Sequence, residues 1–222
     1  MGNNEKMIKI LIVDDHPVVR QGIKDIIERE GNIKVTAEAD SASEAMDIIR
    51  KDTPDLAIID ITIKGNINGV ELVKAIKDRY PEVNTLVLSM HNESLYAERS
   101  IRAGAKGYLM KEDAPKNIIN AIYKIMEGDL FISDETSRRI VNKVVQGSSD
   151  ALGLNIEKLS NREFEIFRLI GNGFSSKEIS KKLNLSVNTI ESHRRNIREK
   201  MNFVDSAEMV KHAIQWVIMQ SK

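Results

Sequence analysis

Lys9-Ile10-Leu11-Ile12-Val13-Asp14-Asp15-His16-Pro17 is the stretch on which the fold turns. A run of unbroken apolar residues this short reads as a strand buried on both faces. It stops at two carboxylates, and Pro17 then opens a helix, where its missing N–H costs nothing. Leu56-Ala57-Ile58-Ile59-Asp60 repeats the arrangement, an apolar strand ended by an acid. Further strands are expected at Val35–Ala39, Thr85–Ser89 and Gly107–Met110. Helical patterns fall between them at 17–30, 42–52, 69–79, 92–103 and 115–127, and Pro17, Pro54, Pro81 and Pro115 all lie at element edges. Such β–α alternation predicts an open α/β domain whose parallel sheet is covered on both faces.

The pattern changes after Gly128. One helix is expected to start at Ser133 or Asp134, and the small, polar run 146–153 reads as a hinge. From Leu159 the chain reads as wholly helical, with stretches at 161–171, 176–183, 187–201 and 206–219. The resulting division is a domain at 7–127, a linker with one helix at 128–155 and an all-α domain at 156–222. A chain of 222 residues is long enough for two such cores. Its composition, 41% hydrophobic and 30% charged, is that of a folded chain. With no cysteine, disulfides, thiolate metal sites and cysteine nucleophiles are excluded. The apolar run near the N-terminus is too short for a signal peptide or a membrane span, so a cytoplasmic protein with no membrane partner is expected. The formal net charge of zero is unevenly spread, about +4 from Ile156 onward and −4 before it. That asymmetry permits a nucleic-acid partner for the tail and a cation for the front.

Ligands of a parallel α/β sheet bind beyond the carboxyl ends of its strands. There the first strand delivers Asp14 and Asp15, the third Asp60, the fourth Ser89 and the fifth Lys111. Crowded carboxylates repel unless a cation intervenes, and a hard divalent ion, Mg²⁺ above all, suits oxygen ligands. A carboxylate beside such an ion and a lysine is equipped to attack a phosphoryl group. Asp60, ending the central apolar strand, is the expected nucleophile. Each aspartate taken singly also reads as a helix cap or turn residue. His16, beside Pro17, reads as a cap or surface residue, not a ligand.

Leu11-Ile12-Val13-Asp14-Asp15-His16, Ile59-Asp60, Leu88-Ser89 and Tyr108-Leu109-Met110-Lys111 resemble the receiver domain of two-component response regulators. The fold class that follows is α/β, a doubly wound five-stranded parallel sheet, flavodoxin-like with order 2-1-3-4-5, joined to a second, all-α helix-turn-helix domain. The resemblance implies that Asp60 is phosphorylated by a sensor histidine kinase. It implies a Mg²⁺ site of Asp15, Asp60 and the Thr62 carbonyl, with Asp14 acting through a water. Lys111 would pair with the phosphate, Ser89 would hydrogen-bond it, and Tyr108 would turn inward as Ser89 vacates its space. Two features depart from the family pattern. Ile63-Lys64 stands where Met-Pro is common, and Gly69 comes nine residues after Asp60 instead of eight, which lengthens the loop and puts a further positive charge near the site. Glu112 also replaces a proline often found after the lysine.

In the tail, Ser160 with Glu163 forms a capping box, Gly171-Asn172-Gly173 ends that helix, and Ser175 or Ser176 caps the next. After Asn184-Leu185, Ser186 caps a longer helix. Asn188, Glu191, Ser192, Arg195 and Glu199 give that helix a polar face, while Val187, Ile190, Ile197 and Met201 are expected to face inward. This is the layout of a helix-turn-helix, whose second helix enters the major groove. Leu159-Ser160-x-Arg162-Glu163, Gly173-Phe174-Ser175-Ser176-Lys177-Glu178-Ile179 and Ser186-Val187-Asn188-Thr189-Ile190-Glu191-Ser192-His193 resemble the LuxR-type domain of NarL/FixJ regulators. By that resemblance Glu191, Ser192 and Arg195 meet base edges, Lys177, Thr189, Arg194 and Lys200 lie near phosphates, and Asn188 joins the contact face with double-stranded DNA. A homodimer is expected on phosphorylation, with no enzymatic activity beyond phosphotransfer to Asp60 and its slow hydrolysis. Two other readings of the residues stay open: an aspartate-nucleophile hydrolase, which needs a second acid–base carboxylate that Asp60-Ile61-Thr62 does not offer, and a DNA-binding protein indifferent to phosphorylation.

Overall fold

The structure is a computed structural model that describes residues 7–65, 67–90, 93–134, 136–138, 140–141 and 156–220. The stretch 146–153, expected to be a hinge, lies outside them. The chain divides into two compact units, Met1–Asn142 and Lys143–Lys222.

In the first unit, strands β1 (Ile8–Val13), β2 (Ile33–Ala39), β3 (Leu56–Asp60), β4 (Asn84–Ser89) and β5 (Gly107–Met110) alternate with helices α1 (Pro17–Ile27), α2 (Ala42–Lys51), α3 (Gly69–Arg79), α4 (Glu93–Ala103) and α5 (Ala114–Met126). All strand pairs are parallel, in the order β2-β1-β3-β4-β5. The continuous apolar strands are the central ones. Every residue of β3 is buried, whereas β2, at the edge, alternates buried and exposed positions over its first half. Ile10, Ile12, Leu56, Ile58 and Leu86 point with α1 and α5 into one core, and the intervening Leu11, Val13, Ala57 and Ile59 are also fully buried. Period-two alternation thus feeds two cores from one sheet. Beyond α5 the chain adds one bridge to β5: Tyr108 N–H donates to the Phe131 carbonyl at 2.8 Å, and Phe131 N–H to that of Lys106 at 2.9 Å. Residues 134, 136–138, 140 and 141 are helical, and the Thr136 N–H donates to Ser133 Oγ at 3.2 Å as a cap bond.

The second unit consists of α6 (Asn161–Gly171), α7 (Ser176–Leu183), α8 (Val187–Met201) and α9 (Ser206–Gln220), after a short 3₁₀ turn at Ile156–Lys158. Trp216 of α9 packs edge-on against Phe164, ring centroids 5.4 Å apart, and Phe167 stacks on Phe203 at 6.4 Å. Gly171 lets α6 and α9 close: a Cβ there would meet the Ala213 carbonyl oxygen at 2.4 Å. The α7–α8 turn is short because Asn184 takes a left-handed conformation, φ 52°, which asparagine tolerates. Ser175 caps α7 and Ser186 caps α8.

Candidate functional site

The strand order reverses between β1 and β3, opening a crevice at their carboxyl ends, and the acids lie there. One oxygen each from Asp14, Asp15 and Asp60 and a ring nitrogen of His16 fall within 4.8 Å of one another. Lys111, just past β5, closes the cluster: its Nζ lies 2.5 Å from Asp14 Oδ2 and 2.6 Å from Asp60 Oδ2. These three side chains are nearly enclosed, 2%, 7% and 9% exposed for Asp14, Asp60 and Lys111. Burial of the Asp60 carboxyl pushes it up to about 6, Lys111 opposes the rise, Asp14 adds to it, and the Thr62 N–H favours the anion. Burial alone would lower the Lys111 ammonium, but Asp60 and Asp14 outweigh it and hold it above its ordinary value.

The oxygens are not equivalent. Asp14 Oδ1 accepts the His16 backbone N–H at 2.8 Å and Oδ2 is taken by Lys111, so Asp14 is satisfied by the protein. Asp15 Oδ1 is buried without a hydrogen-bond donor. An orphaned carboxylate oxygen beside a second acid is costly unless a cation meets it, so the donor set fits the hard divalent ion inferred from the sequence. Asp15 and Asp60 have oxygens to offer directly, and Asp14 is placed to act at one remove.

Gly69 holds the pocket together from below. It opens α3 directly against the backbone of Asp60, where an added Cβ would stand 2.0 Å from the Asp60 carbonyl oxygen. Asn68 caps this helix in a reciprocal box with Glu71 and is fully buried. The extra cation of the longer loop is paired within the protein. Lys64 forms a bridge with Ser41, and its Nζ lies 3.0 Å from Asp40, so the extra cation is drawn to the β2–α2 loop. Asp40 is the opposite charge within its reach. Ser89 is fully buried at the end of β4, and Tyr108 is buried too, 1% exposed, with Asp60 unmodified.

Sequence reasoning set His16 aside. The residue occupies the N-cap position of α1 without making a capping bond. Its ring is 65% exposed, yet Nδ1 lies 2.7 Å from Asp15 Oδ1 and 3.2 Å from Asp14 Oδ1. The only signal in the sequence was its adjacency to the two acids.

On the second unit, Asn188, Glu191, Ser192 and Arg195 lie exposed along α8, and Lys177 is exposed in the first turn of α7. Thr189 is half-buried; its N–H donates to the Ser186 hydroxyl at 3.0 Å. Ser192 returns its hydroxyl to the Asn188 carbonyl, and Arg194 lies 3.7 Å from Glu191. Ile190 and Ile197 are fully buried as expected, but Val187 is 43% exposed. Helical side chains lean back over the preceding turn, and the first residue of α8 has no such turn to cover. Lys200, expected near phosphate, forms an ion pair with Glu163 at 2.6 Å and is 42% exposed. Burial would raise the Glu163 carboxyl, but Lys200 and Ser160 outweigh it and hold it below its usual range.

Comparison with known proteins follows the same division. The response regulator receiver domain family matches residues 10–123, and the luxR family of bacterial regulatory proteins matches 157–213. The transcriptional regulatory protein DegU of Brevibacillus brevis is 33% identical over 96% of this chain and 97% of its own length. The oxygen regulatory protein NreC of Staphylococcus carnosus is 33% identical over 94% of this chain and 97% of its own. Among solved structures, RcsB of Salmonella enterica serovar Typhimurium, bound to the rprA promoter with the phosphomimetic BeF₃⁻, superposes with a TM-score of 0.60. It is 26% identical and covers 94% of this chain and 98% of its own. No described helix is long and apolar enough to cross a membrane.

Proposed function

Because the chain belongs to the NarL/FixJ family of DNA-binding two-component response regulators, we propose that Asp60 receives a phosphoryl group from a sensor histidine kinase and that its esterification governs how the second unit occupies DNA. The observation that carries this reading is the Asp60 carboxylate, enclosed between Lys111 and Asp14 at the strand-order reversal. An oxygen of Asp60 forms the new bond to phosphorus as the bond to the kinase's histidine nitrogen breaks. Lys111, already within reach, neutralises charge on the phosphoryl oxygens, and the Thr62 N–H supplies a fixed donor beside the carboxylate. Asp15, Asp60 and the Thr62 carbonyl would hold Mg²⁺, with Asp14 acting through water; when bound, the ion lowers the repulsion between the incoming anion and the acids. Ser89, at the end of β4, and Tyr108, on β5, are the groups that would register the phosphate. Turnover is confined to the chain's own Asp60 and the slow hydrolysis of its ester.

On the DNA side, α8 lies in the major groove with Asn188, Glu191, Ser192 and Arg195 toward base edges, and Lys177, Thr189 and Arg194 near phosphates. Lys200 contributes to that face through Glu163 and only partly through its own charge. The phosphorylated chain acts as a homodimer on two half-sites about 10 base pairs apart. A cytoplasmic location belongs to this reading, since the operator DNA lies there.

Incubating the chain with acetyl phosphate and Mg²⁺ tests it, with intact mass and gel-shift titration as readouts. One phosphoryl group is expected on the native chain and none on Asp60→Ala, with DNA affinity rising only where the mass does. Equal affinity of both forms would remove the coupling and favour a regulator indifferent to phosphorylation. Steady release of phosphate from a generic aryl phosphate would favour a hydrolase.

A further inference from the structure

The geometry points to His16 as a ligand in the pocket, one that adapts it to first-row transition cations such as Mn²⁺ and Ni²⁺ as well as Mg²⁺; this rests on the reading of the acidic pocket as a cation site. His16 Nδ1 approaches Asp15 Oδ1 to 2.7 Å, as close as a strong hydrogen bond, yet that oxygen has no hydrogen-bond donor. Nδ1 instead hydrogen-bonds Asp14 Oδ1 at 3.2 Å, which holds that nitrogen among the carboxylates. Donors in adjacent positions around one cation, with bonds of about 2.1 Å at right angles, stand about 3.0 Å apart. The distance from Nδ1 to Asp15 Oδ1, 2.7 Å, is close to that value. Asp60 completes the group, all of it within 4.8 Å.

The local chain presents the ring this way for structural reasons. His16 is the N-cap of α1 with extended backbone, φ −102° and ψ 106°, and Pro17 follows at the first helical position. Its backbone N–H is tied to Asp14 Oδ1 at 2.8 Å, so the Cα is held at the rim of the pocket. The ring makes no capping bond, and at 65% exposed it is open to an ion entering from solvent. Binding an ion moves the ring proton from Nδ1, where it serves Asp14 Oδ1, to Nε2 and frees the Nδ1 lone pair. Lys111 stays on the far side, on Asp14 Oδ2 and Asp60 Oδ2.

An imidazole nitrogen separates metals that an all-oxygen site does not. Mg²⁺ gains little from nitrogen, whereas affinity rises from Mn²⁺ to Ni²⁺ when one is present. The test uses the untagged full chain, with Mn²⁺ binding followed by loss of the free-ion electron paramagnetic resonance signal and the bound ion probed by spin-echo modulation. The expected result is one Mn²⁺ per chain with an imidazole ¹⁴N coupling. His16→Asn and His16→Gln should abolish that coupling and weaken Mn²⁺ and Ni²⁺ by roughly tenfold or more. Mg²⁺ affinity, read by calorimetry, should move by less than about twofold. Asp15→Asn should lose the bound ion. If Mn²⁺ binds in an Asp15-dependent way but shows no imidazole coupling, or keeps it in both His16 variants, His16 is not a ligand and the pocket reading stands. If neither Mn²⁺ nor Mg²⁺ depends on Asp15, both fall.

Discussion

The pocket of the first unit and the α8 face of the second carry their charges in opposite ways. Asp14, Asp60 and Lys111 are each less than a tenth exposed and hold one another within 2.6 Å, while Asn188, Glu191, Ser192 and Arg195 lie open to solvent. Charges taken out of water must be paired or they destabilise the fold, whereas exposed charges cost the fold almost nothing. The pocket therefore cannot be altered without touching stability, and the DNA face can.

The largest effect is expected at Gly69→Ala. The new Cβ would stand 2.0 Å from the Asp60 carbonyl oxygen, and the obstacle is backbone, not a side chain able to swing away. A loss of about 3 kcal/mol is expected by denaturant titration, together with impaired phosphoryl acceptance, because α3 must retreat from the strand end that carries Asp60. A loss under about 1 kcal/mol would mean that the strand end yields easily, and the rigid half of the contrast would fail.

Asp60→Asn comes next and acts in the opposite direction. A carboxyl whose pKa is raised on folding contributes its full stability below its unfolded value near 3.8, and that contribution is lost as pH rises through about 6. With chelator present, the native chain should therefore lose stability relative to Asp60→Asn between pH 4 and 7. The gap should approach, but not reach, about 3 kcal/mol, since Lys111 is coupled to the same group. Mg²⁺ should narrow it. A gap that does not vary with pH would show that burial does not burden Asp60.

Sequence made the pocket legible because strand ends are fixed by period and length: once Ile10–Val13 and Leu56–Ile59 are strands, Asp14, Asp15 and Asp60 fall at one edge without further information. The helix caps at Ser160 and Ser186 were legible for the same local reason. What escaped depends on contacts far along the chain. Lys64 and Asp40 meet across two loops, and Lys200 finds Glu163 across 37 residues. His16 was visible as a residue, but the direction of its ring follows from how Asp14 ties down its backbone. Val187 escaped because an apolar residue at a helix start looks like the start of the stripe.

Lys200 belongs to the tail by sequence but behaves like a pocket residue, which makes it the sharpest test of the contrast. Its partner Glu163 is 4% exposed and also donates order to the α6 cap. Lys200→Ala should cost about 1 to 2 kcal/mol of stability, less than a fully buried pair because Lys200 is itself 42% exposed. Arg195→Ala should leave the melting temperature unchanged and cost about 1 to 3 kcal/mol of DNA binding, with relaxed specificity. If both variants lose only DNA affinity, the pair contributes nothing to the fold and Lys200 returns to the phosphate-facing set.

The smallest effect is expected at Lys64→Ala, and its smallness is informative. By sequence, an extra cation in the loop after Asp60 leaves open how fast the ester forms and hydrolyses. In the structure the ammonium is 3.0 Å from Asp40, with the two side chains 47% and 42% exposed, and the loop is held by the Ser41 bridge whether or not the charge is present. An exposed pair of this kind is worth about 0.5 kcal/mol or less. The Asp40 carboxyl, held below its ordinary value chiefly by its bond to Lys64, should move back toward it in the variant. Loss of the phosphorylated mass with time should match the native chain within about twofold, a difference of roughly 0.4 kcal/mol in barrier. A tenfold change in lifetime would place Lys64 at the phosphate after esterification, and the loop would then belong with the pocket.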